Sequence, residues 1–152
     1  MIIGIDPGKS GACALVDTSV VVDFFDMPWR DKQVDVVELA DMLSFWRNIY
    51  EPDCVVIEQV HAMPRQGVSS TFLFGTSYGI VIGCVQTLGF DTVFVTPQRW
   101  KKALGLSSDK DNSRLMASRL WPDNIDSFSR KKDDGRAEAA LLAHWKEEYC
   151  DD

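Results

Sequence analysis

The sequence predicts one α/β domain: a mixed five-stranded sheet, with strands one to three antiparallel and strands four and five parallel, flanked by helices. Three observations carry this reading. Short runs rich in β-branched residues, at positions 2–5, 12–16 and 20–25, are separated by turn residues and fit a meander of hairpins. A stretch of helical periodicity then precedes a further apolar run, Cys54-Val55-Val56-Ile57, and a helix between two strands implies a parallel crossover. Finally, 152 residues of which 45% are hydrophobic suffice for one core without staples, and neither a repeat nor a low-complexity linker divides them.

Taken in order, Ile2-Ile3-Gly4-Ile5 reads as a strand buried on both faces, because nothing polar interrupts it before Asp6. An acid at the end of a core strand is costly unless a metal ion or a basic side chain pairs with it. The plain alternative is an Asp that forms a turn, since Pro7-Gly8 and Gly11 follow and return the chain as strand two. Strand three is expected over Ser19–Met27, stopped by Pro28. Apolar residues at Val36, Val37, Leu39, Ala40, Leu43, Phe45, Trp46 and Ile49 give a helix over Val34–Tyr50, ended by Pro52-Asp53. Strand four, Cys54–Glu58, repeats the pattern of strand one, an apolar run closed by an acid.

His61–Gln66 reads as an exposed loop, and Ser69-Ser70 as the cap of a helix running to Leu88. That helix carries few charges and is expected to be largely buried, with Gly75, Ser77, Gly79 and Gly83 allowing close packing; Phe72 and Phe74 on it read as core or dimer contacts. Asp91–Val95 is the fifth strand, and Thr96-Pro97 opens a helix over Gln98–Leu104. Lys110–Leu120 is helical until Trp121-Pro122. Asn124–Lys132 lacks periodicity and reads as a mobile basic loop. Asp134–Glu148 is the last helix, with Ala137, Ala140, Leu141, Ala143 and His144 inward, His144 as a packing histidine.

No apolar run approaches the roughly 20 residues that span a bilayer, and the start lacks a basic and then apolar leader, so a soluble chain is expected. Cys13, Cys54, Cys84 and Cys150 are scattered without a CxxC and read as reduced core thiols. A net charge of −7 argues against a protein that coats nucleic acid by charge alone. It leaves room for a local basic face, for which Arg99, Lys101, Lys102, Lys110, Arg114, Arg119, Arg130, Lys131, Lys132 and Arg136 are candidates. Ordinary solvated surface is the competing explanation of those charges.

Asp134 and Glu138 are four apart, which places them on one helix face with Cβ atoms about 5–6 Å apart. The helix dipole accounts for Asp133 and Asp134 at an N-terminus. It accounts less well for Glu138, embedded in Ala137-Glu138-Ala139-Ala140-Leu141-Leu142. Two strand-end acids and two helix acids can converge, and divalent cations would keep such a cluster ionised. All-oxygen ligation selects Mg²⁺ or Mn²⁺ over zinc. Two such ions about 3.5–4 Å apart clamp a phosphodiester, so the pattern points to phosphodiester hydrolysis.

Three motifs in order, Gly4-Ile5-Asp6-Pro7-Gly8, Val56-Ile57-Glu58-Gln59-Val60 and Asp133-Asp134-Gly135-Arg136-Ala137-Glu138-Ala139, resemble the RuvC-like Holliday-junction resolvases of the RNase H-like superfamily, most closely the short phage forms. The resemblance spans nearly the whole chain. It implies a cytoplasmic homodimer that binds four-way or other branched DNA and nicks opposed strands symmetrically with two Mg²⁺ ions, leaving 5′-phosphate and 3′-hydroxyl ends. Position by position it assigns Asp6, Glu58, Asp134 and Glu138 to the metal, with Asp133 competing with Asp134. At Glu138 the chain departs from the Asp common in the family. Lys101 is carried over as catalytic and DNA-binding and Lys110 as DNA-binding, with Arg99 beside Lys101. His61, Met63 or Arg65 stand where some relatives place an aromatic wedge. The alternatives are a less selective RNase H-like nuclease and a non-cleaving binder of branched DNA.

Overall fold

The computed structural model of the chain describes residues 1–18, 20–61 and 67–150, with Lys110 described by its backbone. The elements are β1 (Ile2–Asp6), β2 (Ala12–Asp17), β3 (Val20–Asp26), β4 (Trp29–Arg30), β5 (Gln33–Val34), α1 (Val36–Tyr50), β6 (Cys54–Glu58), α2 (Val68–Thr87), β7 (Thr92–Val95), α3 (Pro97–Ala103), α4 (Lys110–Leu120), α5 (Ile125–Phe128) and α6 (Asp134–Tyr149). The main sheet has the order β3-β2-β1-β6-β7. β1–β2 and β2–β3 pair antiparallel, β1–β6 and β6–β7 parallel, which is the mixed sheet expected from the sequence.

Helices cover both faces. On one, α1 and α2 bury Leu39, Leu43, Trp46, Val81 and Val85 against Ile3, Ile5, Val55 and Ile57. On the other, α6 lies across the strands with Ala137, Ala140, Leu141 and Trp145 packed on Ala14, Val16 and Val56, and Trp100, Trp121 and Phe128 complete that layer. Because β1 and β6 are buried on both faces, their unbroken apolar runs follow from position in the sheet. Glycine makes the fit of α6 possible. A Cβ on Gly4 would sit 1.9 Å from the Ala139 carbonyl oxygen, and one on Gly135 would sit 2.1 Å from that of Ser10. β1 and the β1–β2 turn therefore touch the helix backbone directly, at a separation no other residue permits.

The differences from the sequence reading have local causes. Val34 pairs with Trp29 in a small β4–β5 hairpin, so α1 starts at Val36 behind an N-cap, Asp35, that accepts from the amides of Val37 and Glu38. Gly67, not Ser69-Ser70, is the N-cap of α2. Nor is α2 largely buried: only Ser77, Val81, Cys84 and Val85 are fully inside, while Val68 and Phe72 are 86% and 72% exposed. Its 20 residues are long and apolar enough, by length and composition, to cross a membrane. This was missed because small glycines, serines and threonines, rather than a continuous hydrophobic run, make up its uncharged length. Residues 122–133 are not a loop. They form a 3₁₀ turn at Pro122–Asn124, then α5, then a 3₁₀ turn at Lys131–Asp133, held by Phe128, which is fully buried beside Trp121. Cys13 and Cys84 are buried and Cys54 and Cys150 half-buried, all outside any disulfide, and burial pushes Cys13 and Cys84 above the ordinary thiol range.

A carboxylate cluster at the strand ends

Register sets the first pair of acids. Ile5 lies opposite Ile57 in the parallel β1–β6 ladder, so Asp6 and Glu58, one residue on, end adjacent strands at the same edge. Alternation sets the face. Ile3, Ile5, Val55 and Ile57 point toward α1 and α2, whereas Gly4 and Val56 meet α6, so Asp6 and Glu58 share the α6 side. α6 supplies Asp134 from its first turn and Glu138 from the next, immediately before the Ala139 carbonyl that abuts Gly4. All four are shielded: Asp6 is 8%, Glu58 7%, Asp134 7% and Glu138 4% exposed.

Asp6 is held by a local donor, and Glu58 and Glu138 by donors distant in sequence. The Gly8 amide donates to Asp6 Oδ1 at 3.0 Å, so Asp6 does form a turn as well as end the strand. The Trp100 indole N–H donates to Glu58 Oε1 at 2.9 Å. Glu138 Oε1 receives Lys101 Nζ at 2.6 Å and the hydroxyl of the fully buried Ser113 at 3.2 Å. Trp100 and Lys101 are neighbours on α3, so one short helix, started by Thr96 and Pro97, grips two of the acids. Trp100 and Ser113 went unread in the sequence; they carry no motif, and only the placement of α3 and α4 against α6 gives them acceptors.

Asp133 is engaged elsewhere. It accepts from the Arg130 guanidinium at 3.0 and 2.9 Å and from the Arg130 amide at 2.9 Å. Burial would raise its carboxyl, but these bonds outweigh burial and hold it below the ordinary carboxylate range. Asp134 lies four residues before Glu138 on α6, on the same helix face.

Of the basic candidates, Lys101 meets the acids through its bond to Glu138. Arg99 is exposed and stacks over Trp145 at 5.5 Å. Arg114 pairs with Asp111, and Arg136 with Asp26 in a two-bond fork. His61 is exposed just past β6. Met63, Arg65 and the side chain of Lys110 lie outside the described residues. His144 makes an edge contact with Trp121 at 5.8 Å, as a packing histidine would, and also lies with Glu147 and Glu148 in a group whose ligand atoms fall within 4.8 Å of one another. The strand-end acids are not drawn into so tight a group. Four shielded carboxylates with neither His nor Cys among them nonetheless form a donor set suited to a hard divalent cation.

The sheet order and the helices on its two faces form an RNase H-like α/β fold. Among solved structures the chain is similar to Thermus thermophilus RuvC in complex with a Holliday junction substrate, with a TM-score of 0.68 and 17% identity over 96% of this chain and 93% of that one. It is similar to a second Thermus thermophilus RuvC structure at 0.67, with 14% identity over 96% and 94% of the two chains. It also resembles the yeast mitochondrial Holliday junction resolvase Ydc2 at 0.55, with 16% identity over 95% and 76%. At these identities the likeness establishes the RuvC fold. No family model matches the chain. A curated relative, the chloroplastic Holliday junction resolvase MOC1 of Chlamydomonas reinhardtii, is 35% identical over 97 residues, 62% of this chain; the chain spans 11% of that protein.

Proposed function

We propose that this chain is a metal-dependent, structure-selective endonuclease that resolves Holliday junctions and other branched DNA. The observation that carries this reading is the gathering of Asp6, Glu58, Asp134 and Glu138, shielded and on one side of the sheet, in a fold shared with RuvC. These four residues would hold two Mg²⁺ ions, for which Mn²⁺ can substitute. Held there, such ions would supply the Lewis acidity for phosphodiester hydrolysis that yields 5′-phosphate and 3′-hydroxyl ends. The chain's own residues orient that site. Gly8, Trp100 and Ser113 fix carboxylates through neutral donors, and Lys101 balances the charge of Glu138 and stands ready for a phosphate oxygen.

With a net charge of −7, DNA binding must be local, and Lys101, Lys110, Arg99, Arg65 and His61 are the proposed contacts. Cutting two strands in step calls for a homodimer. Its proposed interface is the open face of α2, where Val68 and Phe72 are exposed and a Cβ at Gly75, Gly79 or Gly83 would meet nothing. Reduced thiols fit a cytoplasmic setting.

The test is cleavage of a synthetic four-way junction with Mg²⁺. Wild type is expected to nick opposed strands, and Asp6→Asn to bind the junction without cutting; full turnover by Asp6→Asn would refute the site. Competition among junction, flap and linear duplex separates a resolvase from a general nuclease of the same fold.

A further inference from the structure

The bond between Trp100 and Glu58 has a feature that core packing does not require. Trp100 is fully buried, and any backbone carbonyl would satisfy its indole N–H. Its acceptor is instead a carboxylate 42 residues away in sequence, at the end of β6. The choice of donor matters for a group meant to bind a cation. An indole N–H orients a carboxylate without cancelling its charge, whereas an ammonium or guanidinium in the same place would compete with the metal. A charged donor is also present in the site, since Lys101 reaches Glu138 at 2.6 Å. Trp100 is also firmly seated. It lies among the α6-side core residues, and Lys101 Nζ sits 5.1 Å from its ring centroid.

We propose that Trp100 is a positioning residue for the metal site, holding the Glu58 carboxylate in its ligating orientation through a neutral hydrogen bond. The proposal rests on the reading of Glu58 as a ligand. Lys101, by contrast, competes with the ion for Glu138, so the adjacent residues of α3 act in opposite directions on metal affinity. Donors of this kind behind a ligand are commonly worth about 10–100-fold in metal affinity.

The experiment measures Mn²⁺ affinity of the free protein by the electron paramagnetic resonance signal of unbound Mn²⁺, with no DNA present. Two variants remove the donor: Trp100→Phe, and site-specific replacement of the Trp100 indole by its benzothiophene isostere, which keeps the ring shape and loses only the N–H. The isostere keeps the test decisive should Trp100→Phe fail to fold. Both are expected to weaken Mn²⁺ binding roughly 10-fold or more and to lower kcat, with junction affinity in Ca²⁺ and KM unchanged. Lys101→Met is expected to bind Mn²⁺ at least as tightly as wild type. Wild-type affinity in the folded isostere variant would overturn the positioning role and leave the nuclease reading intact. A wild-type protein that neither binds Mn²⁺ nor cuts a junction would overturn both.

Discussion

Gly4→Ala tests the seam on which the cluster depends. The added Cβ would lie 1.9 Å from the Ala139 carbonyl oxygen, 2.9 Å from the Ala143 nitrogen and 3.0 Å from the Ala139 carbonyl carbon, all backbone atoms of α6. No side chain can rotate away, so strand and helix must part by about 1.5 Å to restore an ordinary contact in an interior packed like a crystal. Overpacking of this severity belongs at the top of the usual range, about 3 kcal/mol. Alanine's lower conformational entropy returns about 0.5–1 kcal/mol, leaving a net loss of about 2–2.5 kcal/mol from a total on the order of 5–15 kcal/mol. With a urea m-value of about 2 kcal/mol/M, the midpoint should fall by roughly 1 M. Equilibrium urea denaturation followed by circular dichroism measures it, with Mn²⁺ affinity of the folded fraction as a second readout. A midpoint unchanged from wild type would mean that the Gly4–Ala139 contact is not as close as described.

Two further outcomes can be checked independently. Phe72→Glu places a charge on the exposed face of α2 and is expected to halve the sedimentation mass; a monomeric wild type, or an unchanged dimer, would remove α2 as the interface. Asp133→Asn probes the Arg130 fork. Because the folded carboxyl titrates below its unfolded value, the stability it contributes is present above that unfolded value, near 3.8, and is lost as pH falls through the folded one. The variant should therefore be less stable than wild type at pH 7, with the gap narrowing in acid; a gap that does not narrow as pH falls would mean the fork contributes through packing and not charge.

The strand-end acids were legible because core strands read as uninterrupted β-branched runs, so an acid closing one stands out. Their shared edge was legible too, since a helix between β3 and β6 implies a parallel crossover. The different surroundings of Asp133 were not, because helix periodicity cannot reveal its hydrogen-bonded fork with Arg130. The β4–β5 hairpin was hidden for a different reason. Its turn uses Asp31 and Lys32 at φ values of 50° and 68°, where Asn-Gly would have announced it. The exposure of α2 escaped notice because composition reports which residues avoid water, and not how many neighbours a fold supplies for them. Trp100 and Ser113 lie on helices whose own patterns say only that one face is inward, and which acid they meet is decided by tertiary placement.

The direct backbone contact between α6 and β1 also bears on how the molecule fails. Acids from two central strands and one helix flank the seam that holds the core, so parting that seam would disturb the site and the core together. If the proposed metal reading holds, heat or denaturant should abolish metal capture and tertiary structure of the wild-type protein along a single curve.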